Sequence, residues 1–383
     1  MIYLDNAATG GFKPNGVKEA MRSAVNFLNA NPARSGHKLA AAGSQAVFRT
    51  RKLAAEVFGC DEIERTVFTK NCTEALNTAI FGLLSEGDHV VITCAEHNSV
   101  LRPLAALYAE GKVDYDVVYP QKAAYFAQNR HVSFEDILPL LKKNTRMVIT
   151  NHASNVTGSV ADVADVGAKL KRARPDVIYL VDGAQSGGHL DINMARDGID
   201  VLCLAAHKGL FGVMGLGLLL FSSGANIRPL TFGGTGGDTF SPQPEYYPER
   251  LESGTLNLPA IAALSEGLLH LSAHFEEMNE TVSILSRTLY EGLSGIRGVK
   301  LYSRPNPVGI ISFSLNGISS QALADRLSEE FGICCRGGFH CAPLMHKYLG
   351  TESEGLVRFS LSAFNTEREI LAAIHAVKAI AKG

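Results

Sequence analysis

Residues Val177–Gly209 read VIYLVDGAQSGGHLDINMARDGIDVLCLAAHKG. Two short apolar runs inside this stretch, Val177–Val181 and Val201–Ala205, read as fully buried strands. The connection between them has room for a helical or irregular crossover, which predicts a parallel pair. The first run ends in Asp182 and the second in His207-Lys208. Ligands of open α/β sheets bind outside the carboxyl ends of the strands, so an acid and an amine arrive at one edge. A lysine that forms a Schiff base and an aspartate that partners a pyridinium nitrogen are two groups a pyridoxal phosphate site needs. Taken singly, Asp182-Gly183 reads as a turn and Lys208 as a surface charge. Their arrival together at matching strand ends points to chemistry.

The rest of the composition narrows the field. At 383 residues the chain calls for one large domain and a smaller one. Its net charge is −2 with no basic block, which argues against nucleic acid and anionic membranes as partners. No run of eighteen apolar residues occurs, and MIYLDNAATGG at the start lacks signal-peptide character. Seven scattered cysteines without a CxxC pair suggest free thiols, a reducing compartment and a cytoplasmic location, with no zinc-type ligand set.

Several stretches carry candidate chemistry. Helical patterns are expected over Gly16–Asn29, Lys38–Phe58, Phe134–Lys142, Ser320–Phe331 and Glu367–Ala381, and in a long span from Pro259 to about Leu293. Strands are expected at Thr66–Thr69, His89–Thr93, Tyr115–Tyr119, Arg146–Thr150, Leu218–Phe221, Val308–Leu315 and Gly355–Leu361. Asn71-Cys72-Thr73-Glu74 opens a helix, and either Asn71 or Thr73 can cap it. The N-terminus of that helix suits a phosphate. His97, in Ala95-Glu96-His97-Asn98-Ser99, follows a strand; a histidine there can be a cap or, since it titrates near neutrality, a proton relay. Asn155 lies in Asn151–Gly158 after the next strand. Arg250-Leu-Glu-Ser-Gly254-Thr255-Leu-Asn257 precedes the long helix. Cys341, in Arg336-Gly-Gly-Phe-His340-Cys341-Ala-Pro343, sits on a glycine-flanked loop beside histidine and arginine, surroundings that favour a thiolate. Cys334 and Cys335 lie in an apolar run and read as structural. Gly212–Gly217 is not a dinucleotide fingerprint, because a strand follows it rather than a helix.

These motifs, in this order from Tyr3 to Asn365, resemble the class V aminotransferase family of fold-type I pyridoxal phosphate enzymes, and within it the cysteine desulfurases. The resemblance implies an α/β fold-type I transferase. Its large domain holds a mostly parallel seven-stranded sheet and is joined to a smaller α+β C-terminal domain. The expected division is an arm over residues 1–15 joining the small domain, a cofactor domain over 16–258, and a linking helix with the small domain over 259–383. It implies pyridoxal 5′-phosphate on Lys208, Asp182 at the ring nitrogen, His97 stacked on the ring, and Asn155 and Gln185 at the phenolic oxygen. Cys72, Thr73 and His207 fall on phosphate-side positions, with Gly254 and Thr255 reaching the phosphate of the other subunit of a homodimer. Arg358, helped by Asn155, Arg34 and His37, would take the carboxylate of L-cysteine or L-selenocysteine. Cys341 would be the persulfide-forming nucleophile that feeds a sulfur-acceptor protein, in iron–sulfur cluster assembly or a related pathway. The family's Ser-Gly before His-Lys is Ala205-Ala206 here, so Ala205 replaces the serine and removes one hydroxyl from the phosphate side. Cys341 and Arg358 lie 17 positions apart, like the short-looped SufS-type group. A selenocysteine lyase or another lyase of the family shares these residues. A non-catalytic cofactor-binding regulator fits less well with Lys208, Cys341 and Arg358 all in place.

Overall fold

Strands β6 (Ile178–Asp182) and β7 (Val201–Ala205) are buried at every position, and they pair in parallel with Asp182 opposite Cys203. The structure, a computed structural model, describes residues 1–32, 36–122, 125, 129–235, 240 and 242–382. The remaining strands of the chain are β1 (Ile2–Tyr3), β2 (Thr66–Thr69), β3 (Asp88–Thr93), β4 (Val113–Val118), β5 (Thr145–Asn151), β8 (Gly217–Phe221), β9 (Val299–Leu301), β10 (Ile310–Leu315), β11 (Ile333–Cys334) and β12 (Val357–Ser360).

Seven of these strands form one sheet in the order β2-β8-β7-β6-β5-β3-β4. Only β8 runs against its neighbours. Successive residues of a strand face opposite sides, so each central strand serves two cores. Tyr179, Val181, Leu202 and Leu204 pack on one face with Ala54 and Phe58 of the Lys38–Phe58 helix. Ile178, Leu180, Val201 and Cys203 pack on the other with Leu76 and Ile80 of the Cys72–Leu83 helix and Leu104 of the Asn98–Ala109 helix. Cover on both faces explains why these strands read as continuous apolar runs rather than alternating ones. The β6–β7 crossover contains only the four-residue helix Met194–Asp197, capped by Asn193 and closed by left-handed Gly198.

The carboxyl end of the sheet is drawn tight by close backbone approach. A Cβ on Gly217 would lie 2.4 Å from the carbonyl carbon of Asn71. Glycine there lets β8 run directly against the start of the Cys72–Leu83 helix.

A second body of structure is built on the antiparallel sheet β12-β10-β9. The helices Ser320–Phe331 and Glu367–Ile380 pack on it, and Leu4 of the N-terminal arm joins the same core. The arm is fixed by β1, which pairs in parallel with β11. The helix Leu258–Ser294 is kinked at His274. Its first half packs in the large core through Leu264 and Leu268, and its second half in the C-terminal core through Leu285 and Leu289.

Element types follow the sequence expectation closely, and the clearest difference has a local cause. The helix expected over Phe134–Lys142 is one α-turn, Phe134–Ile137, then a 3₁₀ turn, Leu138–Leu140; Pro139 has no N–H to continue the ladder. The strand expected at Tyr115–Tyr119 starts at Val113 and stops at Val118. The helix Pro343–Leu349 follows the Cys341 loop, in a stretch too short for a periodic signal. No helix among the described residues is long and apolar enough to cross a membrane.

One buried ion pair ties three segments together. Arg51 meets Glu252 through both carboxylate oxygens, at 2.8 and 2.9 Å. Glu252 also accepts the Phe68 N–H at 2.8 Å, and both side chains are almost fully buried. Glu252→Ala strands the guanidinium in the core. It is expected to lower stability by about 3–5 kcal/mol, the usual effect of removing one partner of a buried pair. Urea unfolding followed by circular dichroism, apt for a chain without tryptophan, checks this; a midpoint equal to wild type contradicts it.

Candidate active site

The carboxyl ends of β5, β6 and β7 open into a cleft with roughly 800 Å³ of empty space, bordered by Lys208, Asp182, His97, Asn155 and Arg358 among others. Asp182 is the last residue of β6, and only 2 % of it is exposed. Its Oδ1 accepts the Ala184 N–H at 2.9 Å and faces the Cys72 thiol at 3.8 Å. Burial raises its carboxyl pKa, opposed by the Ala184 N–H and by Lys208. Lys208 follows β7 and is half-buried in the cleft wall. Burial pulls its pKa below that of an ordinary lysine, against the attraction of Cys72 and Asp182. A lysine shifted this way spends more of its time as the neutral amine, the form that adds to a carbonyl.

The opposite wall is the start of two helices. Asn71, not Thr73, caps the Cys72–Leu83 helix, its Oδ1 accepting the Glu74 N–H at 2.9 Å. That leaves the Thr73 hydroxyl free to meet the Ser99 hydroxyl at 2.8 Å. Ser99 in turn lies 2.9 Å from His97 Nδ1 and donates its backbone N–H to that nitrogen at 3.1 Å. His97 thus caps its own helix and also borders the cleft. Burial, then Lys208 and Arg336, hold its pKa down to about 4. A neutral imidazole accepting at Nδ1 carries its proton at Nε2, so His97 offers the cleft an N–H donor.

Arg358, from β12, is 1 % exposed. It donates to the Asn155 carbonyl at 3.0 Å and to Asp5 Oδ1 at 2.8 Å. Its Nε has no partner among the described residues. Gln185 Nε2 donates to the Ala7 carbonyl at 3.0 Å, so the N-terminal arm closes one side. The His207 carbonyl accepts from the Gly10 N–H at 2.9 Å and Lys13 Nζ at 3.0 Å.

Cys341 stands beside the cleft residue Arg336, whose Nη2 lies 3.7 Å from its sulfur. Arg336 thereby gives the sulfur a cationic neighbour. His340 does not contribute to this. Its Nε2 turns away to the Leu356 carbonyl at 3.1 Å, and burial drives its pKa well below the normal value. The sequence suggested a helpful imidazolium next to the thiol; adjacency in the chain did not bring the ring to the sulfur. Both His340 (φ 49°) and Cys341 (φ 59°) are left-handed, a conformation costing on the order of 1–3 kcal/mol per non-glycine residue. Cys334 lies in β11, while Cys335 packs against the C-terminal core and burial pushes its thiol pKa up to about 12.

The structure brings Lys208, Asp182, Gln185, Asn155, His97, Cys72, Thr73, His207 and Arg358 to one cleft, with Cys341 alongside. It does not bring Gly254 or Thr255 there. Gly254 borders a separate cavity with Asn31, Arg51 and Glu252, and the Thr255 hydroxyl accepts from Asn31 Nδ2 at 3.4 Å. His37 is exposed and caps the Lys38–Phe58 helix by accepting the Ala40 N–H at 3.2 Å. Arg34 lies outside the described residues. Asp5 and Ser99 are site residues that spacing alone did not single out; each acts through a contact distant in the chain or through a partner's cap.

The cleft fits pyridoxal phosphate on its own chemistry. An amine of lowered pKa suits an aldehyde, a buried carboxylate suits a pyridinium nitrogen, and a helix N-terminus with the Thr73 hydroxyl suits a phosphate. Asn155 Oδ1 and His207 Nδ1 are buried polar atoms without hydrogen-bond partners among the described residues, at the positions expected to face such a group.

Known proteins agree with this geometry. The chain matches the family described as "Aminotransferase class-V" over residues 2–372. A protein of Methanothermobacter thermautotrophicus named "Probable cysteine desulfurase" is 33% identical over 96% of this chain and 92% of its own length. "Cysteine desulfurase IscS" of Shewanella loihica is 28% identical over 100% of this chain and 92% of its own. The apo structure of a cysteine desulfurase from Thermococcus onnurineus superposes with a TM-score of 0.90 and 29% identity, covering 100% of this chain and 95% of the other. The chain therefore belongs to the class-V aminotransferase family.

Proposed function

We propose that this chain is a pyridoxal-phosphate-dependent cysteine desulfurase that converts L-cysteine to L-alanine and carries the sulfur away as a persulfide on Cys341. The observation that carries the reading is one thiol beside a guanidinium, Cys341 with Arg336 at 3.7 Å, at a cleft holding Lys208, Asp182 and Arg358. A transaminase would use the lysine and the acid but would need no such thiol.

Bound pyridoxal phosphate supplies an electron sink for bond cleavage at the substrate Cα. Lys208 and Asp182 hold the group at its aldehyde and ring nitrogen. Thr73, the start of its helix and His207 hold the phosphate. Arg358 takes the substrate carboxylate as a planar fork, with Asp5 keeping the guanidinium aimed. Lys208 Nζ takes the proton from Cα. Cys341 Sγ then attacks the substrate sulfur: the S–S bond forms as the Cβ–S bond breaks. The electron pair stays on the carbon fragment, which is protonated and leaves as alanine. His97, neutral and donating at Nε2, acts as a hydrogen-bond donor over the cleft rather than as a proton relay.

The same reading includes a homodimer, supported by the position of Gly254 and Thr255 away from the chain's own cleft. It includes a sulfur-acceptor protein, because a persulfide must be discharged for turnover, and an iron–sulfur or related sulfur-transfer role. The short Cys341–Arg358 spacing supports the SufS-type group. Seven free cysteines fit a reducing cytoplasm. The division at residues 15 and 258 belongs to it as well, supported by the separate core around Leu4, Leu289 and Phe359.

Two substitutions test the assignment. Lys208→Ala is expected to abolish the cofactor's visible absorbance in the purified protein. In wild type, borohydride reduction and peptide mapping should place the pyridoxyl label on Lys208; a label on another lysine overturns the assignment. Cys341→Ala is expected to keep the absorbance and to respond spectrally to L-cysteine. Sulfide and alanine release should fall by a factor on the order of a hundred or more, as when a covalent nucleophile is removed. Release at the wild-type rate overturns the persulfide reading.

A further inference from the structure

We infer that the backbone N–H of Asn98 is a positioning group for Cys341, holding the nucleophile against the cofactor cleft. Asn98 is the first residue of the Asn98–Ala109 helix, whose N-cap is His97. The N–H groups of a first helical turn have no partner within their own helix. Ser99 gives its N–H to the His97 ring; Asn98 gives its N–H across to the Cys341 carbonyl at 2.8 Å. The segment that places the imidazole in the cleft thus also holds the backbone of the thiol.

The surroundings show why such a hold matters. Before the tip, Gly338 and Leu356 exchange two backbone hydrogen bonds at 3.0 Å each, and Arg336 and Arg358 form a bridge. After it begins the helix Pro343–Leu349. Between these anchors His340 and Cys341 both adopt positive φ, 49° and 59°, which side-chain-bearing residues resist. A tip in that conformation relaxes unless its carbonyls are held from outside. Two donors do this: the Asn155 side-chain amide to the His340 carbonyl, and the Asn98 N–H to the Cys341 carbonyl. Sulfur transfer needs near-contact between two sulfur atoms, so a shift of this tip is felt in the chemical step rather than in substrate binding. The inference rests on Cys341 being the nucleophile.

Asn98→Pro tests it with little other change. Proline is well accepted at the first helical position, and His97 at φ −75°, ψ 156° already has the backbone that a residue before proline needs. The substitution deletes the N–H and sets a ring carbon against the Cys341 carbonyl. Asn98→Ala keeps the N–H and is the control. N98P is expected to bind cofactor with wild-type absorbance and to respond to L-cysteine with wild-type amplitude and KM. Its kcat for sulfur release should fall by about tenfold or more, in line with misplacement of a reacting group, while N98A stays at the wild-type value. In cofactor-free N98P, carboxymethylation of Cys341 should be slower than in N98A, because the sulfur leaves Arg336. Wild-type kcat and wild-type alkylation in N98P overturn the inference. If N98P does not accumulate folded, the α-hydroxy analogue of residue 98, an ester in place of the amide, carries the same expectation, and a wild-type kcat there overturns it. An active C341A removes the nucleophile assignment itself; an inactive C341A with a fully active N98P removes only the role of Asn98.

Discussion

Lys208 and Asp182 border one cleft at the carboxyl edge of a parallel sheet, and desolvation shifts the pKa of each toward its neutral form. Burying either charge alone is strongly unfavourable. Each is tolerated because the other is near and because Asp182 ends, and Lys208 follows, a strand that the fold covers on both faces. The apolar strands, the double helical cover and the close passage of Gly217 by Asn71 all serve to fix those strand ends. Desolvation then does chemical work. It shifts Lys208 toward the neutral amine and leaves His97 neutral, so the cleft meets its ligand with a nucleophilic amine and an N–H donor.

The second centre is assembled by a different part of the chain. Arg358 and Arg336 are joined through the backbone on the edge of the C-terminal sheet, so the group suited to a carboxylate and the group beside the thiol are placed by one backbone pairing. Asp5, reaching in from the arm, pairs with Arg358 and ties the N-terminus to the same place. The kinked helix Leu258–Ser294 spans both cores. The spacing between Lys208 and Cys341 therefore depends on packing between two bodies of structure rather than on a flexible linker.

Much of this was legible in the residues. The β6 and β7 runs, with their terminal acid and lysine, give the sheet and its edge directly, because buried parallel strands are simply apolar. Cys341 was legible because glycines, histidine and arginine crowd one short stretch. The Asp5–Arg358 pair was not, since its partners are 353 positions apart and an aspartate in an extended arm carries no local signal. The chain of contacts from Thr73 through Ser99 to His97 links two helix starts whose closeness is a tertiary fact. His340 shows the converse limit: its neighbour in sequence is the thiol, yet its ring bonds the Leu356 carbonyl.

The central claim is that sulfur leaves cysteine by forming a bond to Cys341. Mass spectrometry of the protein's cysteine peptides, after a single turnover with L-cysteine and no reductant, reads that bond directly. The expected result is a gain of one sulfur atom on the Cys341 peptide, in proportion to the alanine formed. Alanine formed with no added sulfur on Cys341, or with the sulfur on another cysteine such as Cys72, contradicts the account.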